Sequence, residues 1–103
     1  MVTHPREPVH PGEILAEEVL AEIGMNANQL GEALGVAPNR ISEILRGRRS
    51  ITADTALRLS RWLGSSAEFW LNLQRAHDLE VAQAERGAEI ERTVTPREAA
   101  PIA

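Results

Sequence analysis

Cysteine is absent from this sequence, which rules out a disulfide framework and a thiolate metal site. Lysine is absent too: all eleven basic residues are arginine, a composition bias with no mechanism attached. No apolar run approaches the roughly 20 residues of a membrane span. The stretch Met1 to Pro11 holds two histidines, an arginine and three prolines, without the apolar segment of a secretory signal. A cytoplasmic chain with no membrane partner is the expectation. His4, His10 and His77 are scattered with no ligand spacing, and no phosphate loop, zinc signature or Ser/His/Asp set is present. Glu17 and Glu18 are adjacent, so on a helix they diverge rather than pair as acid and base. The expectation is no metal, no cofactor and no enzyme.

What is present is 103 residues, room for one domain with one modest core. The net charge of −4 is a poor guide to partners, because screening limits each charge to about 8–10 Å and position decides. Arg40, Arg46, Arg48, Arg49, Arg58 and Arg61 face only Glu32, Glu43 and Asp54 in residues 25–63, while the segments on either side are acidic. A basic middle third between acidic flanks suits a polyanion at the centre.

The pattern reads as all-α. Residues 1–10, with Pro5 and Pro8, form a flexible arm. A helix starts at Pro11, a residue suited to the first helical position, and carries Leu15, Val19 and Ile23 as an inward stripe to Gly24. Asn26 and Gln29 form a capping-box pattern for a short helix with Leu30, Ala33 and Leu34 inward. A third helix from Pro38 buries Ile41, Ile44 and Leu45 and stops at Gly47. Thr52 caps a fourth, with Ala56, Leu57, Leu59 and Leu63 inward, and Ser66 caps a fifth that runs to about Gly87. The domain is thus expected over residues 11–87, with the last helix over about 66–87 and a flexible tail from 88 to 103.

Residues 26–46 carry the chemistry. Two short helices meet across a turn containing Gly35, the helix-turn-helix pattern. Gly31 lies where a larger side chain would hold the second helix away, and Gly35 can take the left-handed conformation that ends the first. The N-terminal residues of the second helix point outward and fit a major groove. Among Pro38, Asn39, Arg40, Ser42 and Glu43, Asn39 suits adenine, Arg40 suits guanine, and Glu43 can accept from cytosine. Arg46, Arg48 and Arg49 suit phosphate, as do Asn28 and Gln29 at the start of the first helix.

This segment resembles the Cro/C1-type (XRE) helix-turn-helix. With His10-Pro11-Gly12-Glu13-Ile14-Leu15, the string Gly47 to Leu59, and Phe69-Trp70-Leu71-Asn72-Leu73-Gln74 ahead of Asp78-Leu79-Glu80, it resembles the HigA antitoxin family over about residues 8–82. The resemblance implies a five-helix, lambda-repressor-like fold, a homodimer that represses its own operon, and a complex with a RelE-fold toxin that cleaves mRNA. Such toxins are typically basic, which would suit the acidic first helix. Two departures stand out: Ala37, where relatives often carry a serine or threonine cap, and Gly31, where alanine is common.

Operator symmetry requires two readers, and the last helix is the candidate dimer surface through Trp70, Leu73, His77 and Leu79. Core packing is the plainer reading of the three aromatics Trp62, Phe69 and Trp70: it weighs at least as much as an interface role for Trp62, and Trp70 beside Phe69 also reads as core. A stand-alone repressor of the same fold, without a toxin, is the alternative reading.

Overall fold

Helix α1 (residues 11–23) opens the computed structural model, which describes residues 8–98 and, among them, contains five helices and no strand. The first seven residues of the expected arm and the last five of the expected tail lie outside the described residues. Pro11 stands at the first helical position, and the cap is one residue earlier: the His10 Nδ1 accepts the Gly12 N–H at 2.9 Å. His10 is itself buried and Pro8 and Val9 are half-buried, so this end of the expected arm lies against the body.

The middle of α1, Leu15–Leu20, is a π-helical turn, with the Ala21 N–H bonded to the carbonyl of Ala16. An i to i+5 bond widens the turn, bringing residues five apart towards one face. Leu15 and Leu20 are therefore both buried. The stripe expected at three- and four-residue spacing fails at its end: Ile23 is 52% exposed, rotated outward by the wider turn.

Helix α2 (Ala27–Leu34) begins with the full capping box, Asn26 and Gln29 exchanging side-chain to backbone bonds of 2.9 Å. It ends at Gly35 in the left-handed region, φ +72°, which only glycine adopts without strain. Helix α3 (Pro38–Leu45) follows directly. Leu30, Leu34, Ile41 and Ile44 join Leu15 and Leu20 in a single core. Ala33, expected inward, is exposed.

Helix α4 (Ala53–Leu63) is capped by Thr52, whose Oγ1 accepts the Thr55 N–H. Its inward line is Thr55, Ala56 and Leu59. A residue next to Ala56 turns about 100° away, and Leu57, expected inward, is 61% exposed; Leu63 also lies at the surface.

Helix α5 (Ala67–Thr93) is capped by Ser66 and runs past Gly87, where it was expected to end. At about 40 Å it outreaches the body. Its buried residues are Trp70, Gln74 and Gly87, and Gly87 is covered by Gln83 of its own helix. Only the first turns of α5 close the core.

Candidate nucleic-acid interface

The turn between α2 and α3 lies directly on α2. A β-carbon at Gly31 would stand 2.6 Å from the Val36 carbonyl oxygen and 3.3 Å from the Pro38 Cα, so the glycine is what lets the turn close. The C-terminus of α2 is tied to α4 by Arg58, whose Nη1 donates to the Leu34 carbonyl at 2.9 Å while its Nε donates to Asp54. Cations favour helix C-termini, yet no local pattern linked Arg58 to Leu34, 24 residues away.

The N-terminal edge of α3 faces outward. Ala37 supplies no side-chain cap, and Pro38, Asn39 and Arg40 are exposed. Ser42 and Glu43, one turn further, are half-buried. Arg46, Arg48 and Arg49 are exposed in the following loop, and Asn28 and Gln29 are exposed in the first turn of α2. Gln29 already uses its side-chain oxygen in the capping box. Asn39, Arg40, Arg46 and Arg48 have side chains that pair with nothing among the described residues. Arg49 is different: its Nε and Nη2 both reach Glu43 Oε1 at 2.8 Å.

The loop backbone is fixed by a helix-ending motif. The Arg48 N–H donates to the Glu43 carbonyl at 2.8 Å and the Gly47 N–H to the Ile44 carbonyl at 3.0 Å. Gly47 has φ +76°, the left-handed position this motif assigns to glycine. Two further elements hold the loop from beneath. His10 packs beside Gly47, and Gly12 packs against the Ile44 carbonyl. On the other side the Ile51 N–H donates to Gln74 Oε1 of α5 at 2.7 Å, and Gln74 Nε2 donates to Asp78 at 3.0 Å. His10, Gly12 and Gln74 thus position the site without lying in it.

His10 lies edge-on to His77, ring centroids 4.9 Å apart. Burial pushes its pKa below the usual histidine range, the neighbouring His77 pushes it further, and Asp78 and Glu13 oppose the shift. A neutral ring agrees with its role, since a protonated Nδ1 could not accept the Gly12 N–H.

Of the four residues expected at a dimer surface, one does not reach the surface. Trp70 is 1% exposed and belongs to the core of its own chain, its indole N–H donating to Ser65 Oγ; it has no surface to offer a second copy. Leu73 and His77 are half-buried, and Leu79 is 64% exposed. Phe69, read as core, is instead 45% exposed and edge-on to Trp70. Glu13, Glu17, Glu18 and Glu22 are all exposed on α1, an element apart from the α3 edge. Among the described residues no group of three histidines or carboxylates could hold a metal, and no helix is long and apolar enough to cross a membrane.

A helix-turn-helix family profile matches residues 17–70. Virulence-associated protein I of Dichelobacter nodosus is 54% identical over 78 residues, covering 76% of this chain and 72% of that protein. The solved structure of an addiction module antidote protein of the HigA family from Coxiella burnetii is 53% identical with a TM-score of 0.82, over 89% of this chain and all of that one. The antitoxin GraA, solved in complex with its operator, is 46% identical with a TM-score of 0.84, over 96% of this chain and all of that one.

Proposed function

This chain belongs to the Cro/C1-type helix-turn-helix family, among its HigA-type antitoxins, and from that premise we propose that it represses its own operon as a DNA-bound homodimer and neutralises a RelE-fold, mRNA-cleaving toxin. One observation carries the DNA half: the α3 edge presents Asn39 and Arg40 exposed, their side chains pairing with nothing among the described residues, after a turn closed by Gly31 and beside a loop of three arginines. The relative GraA was solved on its operator.

The N-terminus of α3 enters the major groove. Asn39 pairs with an adenine edge and Arg40 with a guanine edge, with Pro38 and Ser42 beside them. Arg46, Arg48 and Arg49 contact phosphate, as do Asn28, Gln29 and the free N–H groups at the start of α2. Two copies, meeting along α5 through Leu73, His77 and Leu79, set two such edges about 34 Å apart, one DNA turn.

The toxin half rests on family membership and on the exposed carboxylates of α1. Glu13, Glu17, Glu18 and Glu22 complement a basic toxin and leave the α3 edge clear. Neutralisation needs only stoichiometric binding, with no chemistry by this chain.

The experiment has two arms. Mobility shift on the chain's own promoter DNA at low salt, with light scattering for mass, tests the reader and the dimer. Co-expression with the neighbouring open reading frame, followed by pull-down and a growth assay, tests the antitoxin. Absence of a shift ends the first claim, and absence of capture and growth rescue ends the second.

A further inference from the structure

Glu43 sits on the recognition helix, within the set that would face DNA, and its chemistry is the odd one out. A carboxylate brought to a phosphate backbone is repelled. Direct base reading would need it to accept from a cytosine amino group. The structure gives it a different occupation. Both the Nε and the Nη2 of Arg49 reach its Oε1 at 2.8 Å, and its backbone carbonyl accepts the Arg48 N–H at 2.8 Å. One residue therefore holds the basic loop twice: the main chain through Arg48 and a guanidinium through Arg49.

We propose that Glu43 is a positioning residue, which pre-orients Arg49 for the DNA backbone and does not read a base. The inference rests on the DNA-binding reading above. An unrestrained arginine loses side-chain entropy when it docks on a phosphate. Arg49 approaches with part of that loss already taken, and its Nη1 makes no hydrogen bond among the described residues. The guanidinium neutralises the carboxylate, so Glu43 can sit near phosphates without the repulsion that a bare acid would bring. The contrast with Asn39, Arg40, Arg46 and Arg48, whose side chains pair with nothing among the described residues, sets Glu43 and Arg49 apart as a unit. Base reading on α3 is then left to Pro38, Asn39, Arg40 and Ser42. The i to i+6 separation across a left-handed glycine explains why the pair is invisible to helix-spacing rules, which connect residues three and four apart.

The test is a double-mutant cycle with a specificity readout. Wild type, Glu43→Gln, Arg49→Ala and the double variant are titrated against a duplex of the chain's own promoter. A scrambled duplex and a panel of single base substitutions serve as comparisons. Thermal melts check that all four proteins fold. The expected result is that Glu43→Gln weakens promoter binding about two- to fivefold in the wild-type background and has no further effect once Arg49 is alanine. No base position loses its preference. An equal loss in both backgrounds, together with lost preference at one base pair, makes Glu43 a base reader and overturns the proposal. Tighter binding of both duplexes by Glu43→Gln makes it a repelling acid, which also overturns it. A wild type that does not distinguish promoter from scrambled DNA defeats the DNA-binding reading itself, a failure visible before any variant is compared.

Discussion

Gly12, in the first turn of α1, packs directly on the backbone carbonyl of Ile44 in the recognition helix, with no room between them for a β-carbon. The obstacle is main chain, which cannot swing aside as a side chain can. Gly12→Ala must therefore push α1 away from α3. Overpacking of this kind costs about 1–3 kcal/mol. Gly87, also helical, meets only the flexible end of Gln83, so Gly87→Ala should stabilise by about 0.5–1 kcal/mol through helix propensity. Denaturant melts of the two variants should move in opposite directions; equal shifts would mean that the Gly12–Ile44 approach does not constrain the fold.

The second constraint on the reading loop comes from α5. The Ile51 amide donates to Gln74 Oε1, and both residues are buried. Gln74→Ala removes the acceptor and leaves an unpaired N–H, a loss of about 1–3 kcal/mol. Native-state hydrogen exchange at the Ile51 amide should accelerate more than exchange in α2, whose bonds are untouched. Unchanged protection at Ile51 would show that the loop is held without α5.

How much of this was legible beforehand depended on range. Asn26, Thr52 and Ser66 announced three helix starts because a cap acts within three residues of itself. The outward edge of α3 is legible in part for a similar reason, since helix geometry turns Asn39 away from Ile41 and Ile44, while Arg40, one turn before Ile44, is exposed at the helix start. His10 does not announce itself as a cap, because histidine is rarely one. The π-turn hid in an apolar pattern that serves Leu15 with Val19 as well as Leu15 with Leu20. Gln74 and Ile51, and Arg58 and Leu34, meet only after folding. Trp70 fits both the core and a dimer surface by sequence, because an apolar residue near the start of a long helix does not declare whether its own core or a second copy will cover it.

His10 makes stability depend on pH. Its folded-state pKa lies below the unfolded value near 6.5, chiefly through burial and secondarily through His77. Below 6.5 the unfolded chain takes up a proton that the folded chain resists, so stability rises with pH across this window. The contribution is complete above about 6.5 and is lost as pH falls towards the lowered value. The Nδ1 bond to Gly12 breaks on protonation at that atom. His10→Asn keeps a capping acceptor without a titrating group, so its stability profile should be flatter between pH 5 and 7. A wild-type profile as flat as the variant's would show that His10 is not the sensitive group.

Arg40 and the pair Arg48 and Arg49 should fail in different ways, and the difference tests the division of labour across the site. Arg40 stands on the helix edge, where a guanidinium can reach guanine N7 and O6, so Arg40→Ala should cost about 1–3 kcal/mol on the operator and relax one base position. Arg48 and Arg49 stand in the loop beyond Gly47, off the helix edge, and in the proposed arrangement they contact phosphate. Replacing both with alanine should weaken binding to all sequences alike. It should also flatten the dependence of log affinity on log salt by up to about two units. Neither change alters the exposed carboxylates of α1, so toxin capture should be intact in both. An Arg40→Ala variant with full affinity and undiminished preference would remove Arg40 from the readers, and an unchanged salt slope would remove the loop from the phosphate contacts. If either variant also lost the toxin, the two binding surfaces would have to overlap, and the separation between α1 and α3 would not be the separation of function.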